Sequence, residues 1–180
     1  MISGSGVMMG FAFPVELEVV HAAPEVPYVG LLQALDAVGK DHVYVTPTNR
    51  LGHASLWGEL LSTACKFKGV AGALTDGPVR DVTRMREMGF NVFGTGTSPL
   101  DINGRYEVIA HNVVGVIDGV RINPGDLIVA DVDGVVVVPT KLIDEVVKRV
   151  EEKNSGESQF RKAVKEGMSP SAAFAKYGVL

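Results

Sequence analysis

Apolar and polar positions follow alternating strand-like and helix-like spacings through the first half of the chain. The strands predicted from alternation or from short apolar runs cover 15–21, 42–46, 70–75 and 91–96. The helices predicted from a spacing of three to four residues cover 28–38, 57–67 and a segment ending near Met88. Ser55 is interpreted as the N-cap of the helix over 57–67. This strand–helix order favours parallel strand pairs covered by helices.

The second half has a different pattern. From Tyr106 to Pro139 it is almost entirely β, and Asp133-Gly134 predicts a hairpin between LIVADV and VVVVP. After Pro139 the apolar positions return to helical spacing. Helices are expected from about 142 to 153, over 159–165 and over 170–176. Without a repeat or a low-complexity linker, the pattern predicts one α/β domain over 1–180, with mixed sheets layered against helices.

Composition narrows the class of protein. The chain has 180 residues, 46% hydrophobic and 21% charged, which is typical of a globular domain. Its net charge of -4 argues against direct binding of nucleic acid. No apolar run is long enough to span a membrane. The N-terminal segment lacks the features of a secretory signal, and a single cysteine, Cys65, leaves no internal disulfide. We therefore expect a cytoplasmic protein.

Candidate chemistry is centred on Arg80-Asp81. This pair follows the predicted strand over 70–75, and ligands bind at the carboxyl ends of strands in α/β folds. The helix near Gly58 offers unpaired amides at 59–61, and Gly58 leaves room for a ligand beside the backbone. We expect the two helix starts to face a common pocket.

These residue types suit a 2-oxo acid. Arg80 can grip a carboxylate with two hydrogen bonds, and Asp81 can hold Mg²⁺ or Mn²⁺. The cation would polarise the keto group as a Lewis acid and stabilise an enolate. The alternative is an ordinary capping or solvated ion pair. Asp76 could orient Arg80 or cap its own turn, and the loop residue His53 could reach the pocket or face solvent.

Several separated segments resemble one family. They are WGELLSTACKFKGVAGALTDGPVRD, EMGFNVF, TSPLDINGR, PGDLIVADVDGVVVVP and YGVL. From about residue 10 to the C-terminus the chain resembles the regulator of ribonuclease activity A-like family. That family includes the 4-hydroxy-4-methyl-2-oxoglutarate/4-carboxy-4-hydroxy-2-oxoadipate aldolases. Some members carry the older name demethylmenaquinone methyltransferase, which no glycine-rich loop supports in this sequence.

The resemblance implies specific roles. The family signature is a glycine, about twenty residues, Arg-Asp, two residues and an acid, and Gly58, Arg80 and Asp81 match it. It implies that Arg80 and Asp81 are the catalytic pair, with Arg80 on the pyruvyl carboxylate and Asp81 on Mg²⁺ or Mn²⁺. Gly58, Glu59, Leu60 and Leu61 would bind substrate through the backbone. Apart from the signature, Arg105 in the NGR stretch is a candidate second cation from a neighbouring subunit, and Glu157 is a candidate for the acid that the family can donate across an interface.

The implied fold is a layered αββα sandwich with mixed sheets, of the swivelling β/β/α kind, with C-terminal helices. Homotrimers or hexamers with interfacial sites are implied. The implied activity is a divalent-metal-dependent (class II) lyase, which cleaves short 2-oxo acids to pyruvate by retro-aldol reaction or decarboxylates oxaloacetate. The alternative is a non-catalytic regulator that binds a ribonuclease or an RNA helicase.

Two departures from the family pattern are visible. Arg84 stands where the acid is expected, and an arginine one turn along could pair with Asp81 and oppose cation binding. Nothing before Phe11 matches the helical segment that supplies a histidine and an acid to an adjacent subunit in the family. We therefore expect that this segment is lacking.

Overall fold

Seven strands of the described residues form one mixed sheet in an N-terminal unit that covers 1–140. The computed structural model describes residues 1–49, 52 and 54–179. The strands of this sheet are β1 (Met8–Val19), β2 (His42–Thr46), β3 (Gly72–Thr75), β5 (Val92–Phe93), β7 (Tyr106–His111), β10 (Leu127–Ala130) and β11 (Val135–Val138). Two short sheets accompany it, β4 (Pro78–Val79) with β6 (Gly96–Thr97) and β8 (Gly115–Ile117) with β9 (Val120–Ile122). The helices of this unit are α1 (Val29–Ala37), α2 (Glu59–Phe67) and α3 (Val82–Met88).

The long strand β1 organises the sheet. Its first half pairs with β10 on one side and with β2 on the other, and its second half pairs with β7. A register shift between Glu16 and Leu17 marks a bulge, which bends a strand and increases its twist. From β1 the strands β2, β3 and β5 follow in parallel, each reached through a helix. This order confirms the predicted parallel pairs with covering helices.

The sheet separates two apolar clusters of the described residues. Successive side chains of a strand point to opposite faces, so Tyr44 joins one cluster while Val43 and Val45 join the other. The larger cluster packs the inner sides of α1, α2 and α3 around the buried Trp57. The α/β class with mixed sheets in layers, predicted from the sequence, is confirmed.

Two expectations about the N-terminal unit need correction. The first strand begins at Met8, not at 15; burial alternates over Met8–Ala12, but the exposed Met9 and Phe11 are apolar, so the sequence shows no alternation of apolar and polar residues there. Ser55 is not a helix cap, since the N-cap of α2 is Gly58. The hydroxyl of buried Ser55 donates to the carbonyl of Ser98 at 2.8 Å.

The C-terminal unit, 141–180, contains α4 (Ile143–Lys165) and α5 (Pro170–Tyr177), after a 3-10 turn at Thr140–Leu142. The two helices expected over 142–153 and 159–165 are one, so that interpretation was wrong. The Lys153–Glu157 pair at 3.6 Å crosses the polar stretch that suggested a break. The predicted helix over 170–176 is confirmed, with Ser169 as its N-cap. No helix among the described residues is long and apolar enough to cross a membrane.

Candidate functional site

The candidate site lies where two helix starts meet beyond the carboxyl end of β3. After β3 the chain turns into β4, and Arg80-Asp81 follows as the entry to α3. The backbone amide of Arg80 donates to the carbonyl of Trp57 at 2.9 Å, which ties this entry to the residue before Gly58. The two helix starts are therefore adjacent in the fold, but residues 58–61 are not among those that line the neighbouring cleft.

A glycine is required at position 58 because there is no room for a side chain. A Cβ at this position would lie 2.7 Å from Asp81 Oδ2 and 2.9 Å from Arg80 Cγ, both below any normal contact. Its φ of -159° is extended backbone that any residue adopts. The glycine therefore lets Arg80 and Asp81 pack directly against the start of α2.

Arg80 is anchored on two sides. Its Nη2 lies 3.0 Å from Asp101 Oδ2, and its Nη1 donates to the carbonyl oxygen of Ser55. Its Nε lies 3.8 Å from Asp81 Oδ2, an ion pair without a direct hydrogen bond. A guanidinium has five N–H donors, so donors remain for a ligand. About a quarter of the side chain is exposed, at 24%.

Asp81 sits in a left-handed conformation at the N-cap of α3, with φ 59° and ψ 32°. That region costs about 1–2 kcal/mol for most L-residues, and Asp is among the few that tolerate it. The strained backbone turns the carboxylate toward α2, where Oδ2 accepts from the amide of Glu59 at 3.2 Å. Within the described part of the chain, Oδ1 has no hydrogen-bonding partner.

The start of α2 supplies amides. The amide of Ser62 is the first to bond within the helix, to the carbonyl of Gly58 at 3.1 Å. The amide of Glu59 is engaged by Asp81, which leaves those of Leu60 and Leu61 at the positive end of the helix dipole. The hydroxyl of Ser62 also donates to Gly58, at 2.9 Å, and accepts from the Trp57 indole at 2.9 Å. These bonds fix the orientation of the helix start.

A shallow cleft of about 380 Å³ opens at this point. Its lining residues are Val79, Arg80, Asp81, Val82, Thr83, Thr97, Ser98 and Pro99. A larger hollow of about 610 Å³ lies elsewhere in the N-terminal unit and is lined mainly by valines and other apolar side chains. Of these two, the small cleft contains the cation and carboxylate that the chemistry requires, Arg80 and Asp81, so we place the candidate site there.

Sequence reasoning did not identify two side chains beside this cleft. Asp101 bridges Arg80 and Tyr28, whose hydroxyl donates to Asp101 Oδ1 at 2.7 Å. This hydrogen bond, together with burial, raises the pKa of Tyr28. Burial opposes the ionisation of Asp101, but hydrogen bonds from the Asn103 amide and Tyr28, with the charge of Arg80, hold its pKa below the usual value. Asp101 lies inside the quoted TSPLDINGR segment, which was the available signal.

Within the N-terminal unit, Arg105 and Asp76 do not line the cleft. Arg105 is exposed, and its Nη1 donates to the backbone carbonyl of Asp101 at 3.1 Å. Asp76 takes neither expected role, since its Oδ1 accepts from the Thr48 amide at 2.5 Å and the Thr48 hydroxyl at 2.7 Å, in the loop that follows β2. Glu157 pairs within α4, and His53 lies outside the described residues.

The expected Asp81–Arg84 pair is wrong. Among the described residues Arg84 has no carboxylate within 4.0 Å. The arginine that pairs with Asp81 is the adjacent Arg80. Arg84 is exposed on α3. Its charge therefore acts on the cleft only through solvent, where screening weakens it.

The residues present fit a water-rich divalent cation. No group of three or more His, Cys, Asp or Glu side chains among the described residues could enclose a metal ion. Mg²⁺ is commonly held by one or two carboxylates with its remaining positions filled by water and substrate. Asp81, with one oxygen unpartnered and 45% of its side chain exposed, matches that donor set.

Comparison with known proteins gives a family match over most of the chain. A model of the RraA-like family, described as Aldolase/RraA, matches residues 1–137. A Halalkalibacterium halodurans protein, provisionally named a 4-hydroxy-4-methyl-2-oxoglutarate aldolase, is 29% identical over 65% of this chain and 55% of its own length. Protein DlpA of Legionella pneumophila is 32% identical over 74% of this chain, which spans only 22% of that protein.

Solved structures show the same fold. Streptomyces coelicolor RraAS2, described as an unusual member of the RNase ES inhibitor RraA family, superposes with a TM-score of 0.77. It is 30% identical, and the match covers 88% of this chain and 78% of that one. The structural match therefore covers most of the chain and not only the sheet.

Proposed function

The chain belongs to the RraA-like, Aldolase/RraA family, and from this premise we propose that it is a lyase acting on short 2-oxo acids. The reactions proposed are retro-aldol cleavage to pyruvate and decarboxylation of oxaloacetate. Relatives provisionally named as aldolases support the lyase class. A requirement for Mg²⁺ or Mn²⁺, and a trimer or hexamer with sites at subunit interfaces, belong to the same proposal.

One observation carries the proposal. Arg80 and Asp81 pack against Gly58 at the start of α2, where no side chain intervenes. A guanidinium matches a carboxylate in shape and charge, and helix-start amides favour the negative charge that develops on a keto oxygen. The arrangement therefore provides separate partners for the carboxylate and for the keto end of a small 2-oxo acid.

In the proposed reaction Arg80 binds the substrate carboxylate with its remaining N–H donors. The anchors on Nη1 and Nη2 fix the plane of the guanidinium, so the substrate is oriented before bond cleavage. The amides of Leu60 and Leu61 face the negative charge that develops on the keto oxygen. A divalent cation held by Asp81 would supply Lewis-acid stabilisation of the enolate.

Decarboxylation is the reaction that this cleft supports best. In oxaloacetate the bond between C3 and C4 breaks, CO₂ leaves, and the electron pair forms the enolate of pyruvate, which then takes a proton at C3. No base has to remove a hydroxyl proton, whereas retro-aldol cleavage needs one. Among the described lining residues, the titratable side chains are Arg80 and Asp81, and both already have other roles.

The test is pyruvate release from oxaloacetate by wild type, Arg80→Ala and Arg80→Lys, each with and without MgCl₂. Protein-free samples with the same MgCl₂ correct for spontaneous decarboxylation. Losing the charge-assisted hydrogen bonds between Arg80 and the substrate carboxylate should lower the decarboxylation rate about 30- to 100-fold. Arg80→Lys should restore only part of this rate, because lysine lacks the planar fork. Arg121→Ala is the matched control, since Arg121 is exposed on β9. Equal rates in wild type and Arg80→Ala would refute the proposal.

A second candidate function is a non-catalytic regulator of a ribonuclease or an RNA helicase. Arg84 favours it, because an exposed cation occupies the position of the expected acid. The test adds the protein to an endoribonuclease assay and compares Arg84→Glu. Inhibition by wild type that Arg84→Glu reduces, without turnover of oxaloacetate, supports the regulator. An unchanged ribonuclease rate and no captured ribonuclease or helicase oppose it.

A further inference from the structure

Asp101 connects Arg80 to a residue outside the cleft. Its two carboxylate oxygens are divided: Oδ2 lies 3.0 Å from Arg80 Nη2, and Oδ1 accepts from the Tyr28 hydroxyl at 2.7 Å. The amide of Asn103 donates to the same Oδ1 at 2.7 Å. With both oxygens engaged, the carboxylate has one orientation, and that orientation faces Arg80.

The second anchor of Arg80 is joined to the first. Ser55, whose carbonyl accepts from Arg80 Nη1, forms a parallel β-bridge with Asp101. Its amide donates to the carbonyl of Leu100 at 2.8 Å, and its hydroxyl donates to that of Ser98 at 2.8 Å. The two groups that hold the guanidinium therefore belong to two segments that are hydrogen-bonded to each other.

Tyr28 occupies an unusual backbone position. It precedes α1 with φ 64° and ψ 14°, a left-handed conformation that a bulky side chain rarely adopts. Its side chain makes no capping hydrogen bond to α1. Residues held in such conformations cluster where side-chain placement matters for function. The bond that this placement provides is the one to Asp101.

We propose that Asp101 and Tyr28 are positioning residues for Arg80, Asp101 by fixing the guanidinium and Tyr28 by fixing Asp101. The inference rests on the proposed role of Arg80 in binding the substrate carboxylate. The remaining N–H donors of Arg80 are then already directed toward the cleft, so the side chain does not have to change rotamer when substrate binds. Because a bidentate contact needs both donors in one plane, a guanidinium that rotates freely binds a carboxylate more weakly.

The leading variant is Tyr28→Phe, because it removes the hydroxyl and changes no charge. Asp101→Asn alone is less informative, since it removes an anchor and also a negative charge that competes with substrate for Arg80. We expect Tyr28→Phe to weaken pyruvate binding in saturating MgCl₂ about 3- to 10-fold. In the Asp101→Asn background the same substitution should have no further effect, since Tyr28 acts through Asp101.

A second measurement does not depend on any ligand. In ¹H–¹⁵N spectra of the full chain, slow rotation of the Arg80 guanidinium should give resolved Nη signals in wild type. These signals should broaden in Tyr28→Phe and be lost in Asp101→Asn. Tyr106→Phe is the matched control, because Tyr106 lines the same hollow as Tyr28 and its hydroxyl makes no hydrogen bond within the described residues.

The outcomes separate the two proposals. Wild-type binding that Arg80→Ala abolishes and Tyr28→Phe leaves unchanged overturns the positioning role while the proposed function stands. Additive losses in the Tyr28→Phe/Asp101→Asn double variant overturn it as well, as do unchanged Arg80 signals. If wild type and Arg80→Ala both fail to bind pyruvate, the proposed function is wrong and this inference falls with it.

Discussion

Replacing Gly58 by alanine tests whether close packing at the start of α2 builds the site. The new methyl would lie 2.7 Å from Asp81 Oδ2 and 2.9 Å from Arg80 Cγ, where ordinary contact begins at 3.4 Å. Both side chains must therefore move by about 0.5–0.7 Å, and a misplacement near 1 Å costs on the order of 100-fold in rate. We expect pyruvate binding and oxaloacetate decarboxylation to fall about 10- to 100-fold.

Stability should change much less. The φ of Gly58 is extended, so alanine adopts it without backbone strain, and overpacking of this kind costs about 1–3 kcal/mol. For a chain of this size, the corresponding fall in Tm is about 2–12 °C. Calorimetry and a binding titration on the same samples separate the two effects.

Gly96→Ala is the control for this experiment. Gly96 lies in β6, next to the cleft residue Thr97, and a Cβ there would meet no atom within 4 Å. It should bind and react as wild type does. If Gly58→Ala also binds pyruvate as tightly as wild type, the packing of Arg80 and Asp81 against Gly58 does not build the site.

Two further predictions concern buried groups. Burial opposes the ionisation of Asp126, but hydrogen bonds from Asn123 and Thr140 outweigh it and lower its pKa. Because the folded pKa lies below the unfolded one, its stabilisation is present above about pH 4 and is lost as pH falls through the folded pKa. Asp126→Asn should cost about 2–4 kcal/mol in urea unfolding at pH 7 and progressively less below pH 4, and a pH-independent difference would contradict this. Burial raises the pKa of the Cys65 thiol to about 12, so a disulfide reagent at pH 8 should label it only on unfolding; prompt labelling of native protein would show the thiol to be accessible.

The fold was predictable in the regions where the pattern of apolar and polar residues is strong. The helices α1, α2 and α3 follow from the spacing of their apolar residues, and the strands β2 and β3 follow from short apolar runs that are buried on both faces. The start of β1 was missed because its exposed positions, Met9 and Phe11, are apolar, so burial alternates there while hydrophobicity does not. The break expected between 153 and 159 is absent from α4. Ion pairs at helical spacing, such as Arg149–Glu145 at 2.6 Å, stabilise this polar helix.

The sequence by itself determined the family, the α/β class and the pair Arg80-Asp81, since each of these depends on residues close together or in fixed order along the chain. Only the tertiary structure decided how that pair is held. Asp101 and Tyr28 are 73 residues apart, and their contact depends on how loops before α1 and after β6 fold onto one another. Side-chain partners at such separation leave no periodic signal, because loop placement is fixed by packing of the sheet and helices that carry the loops.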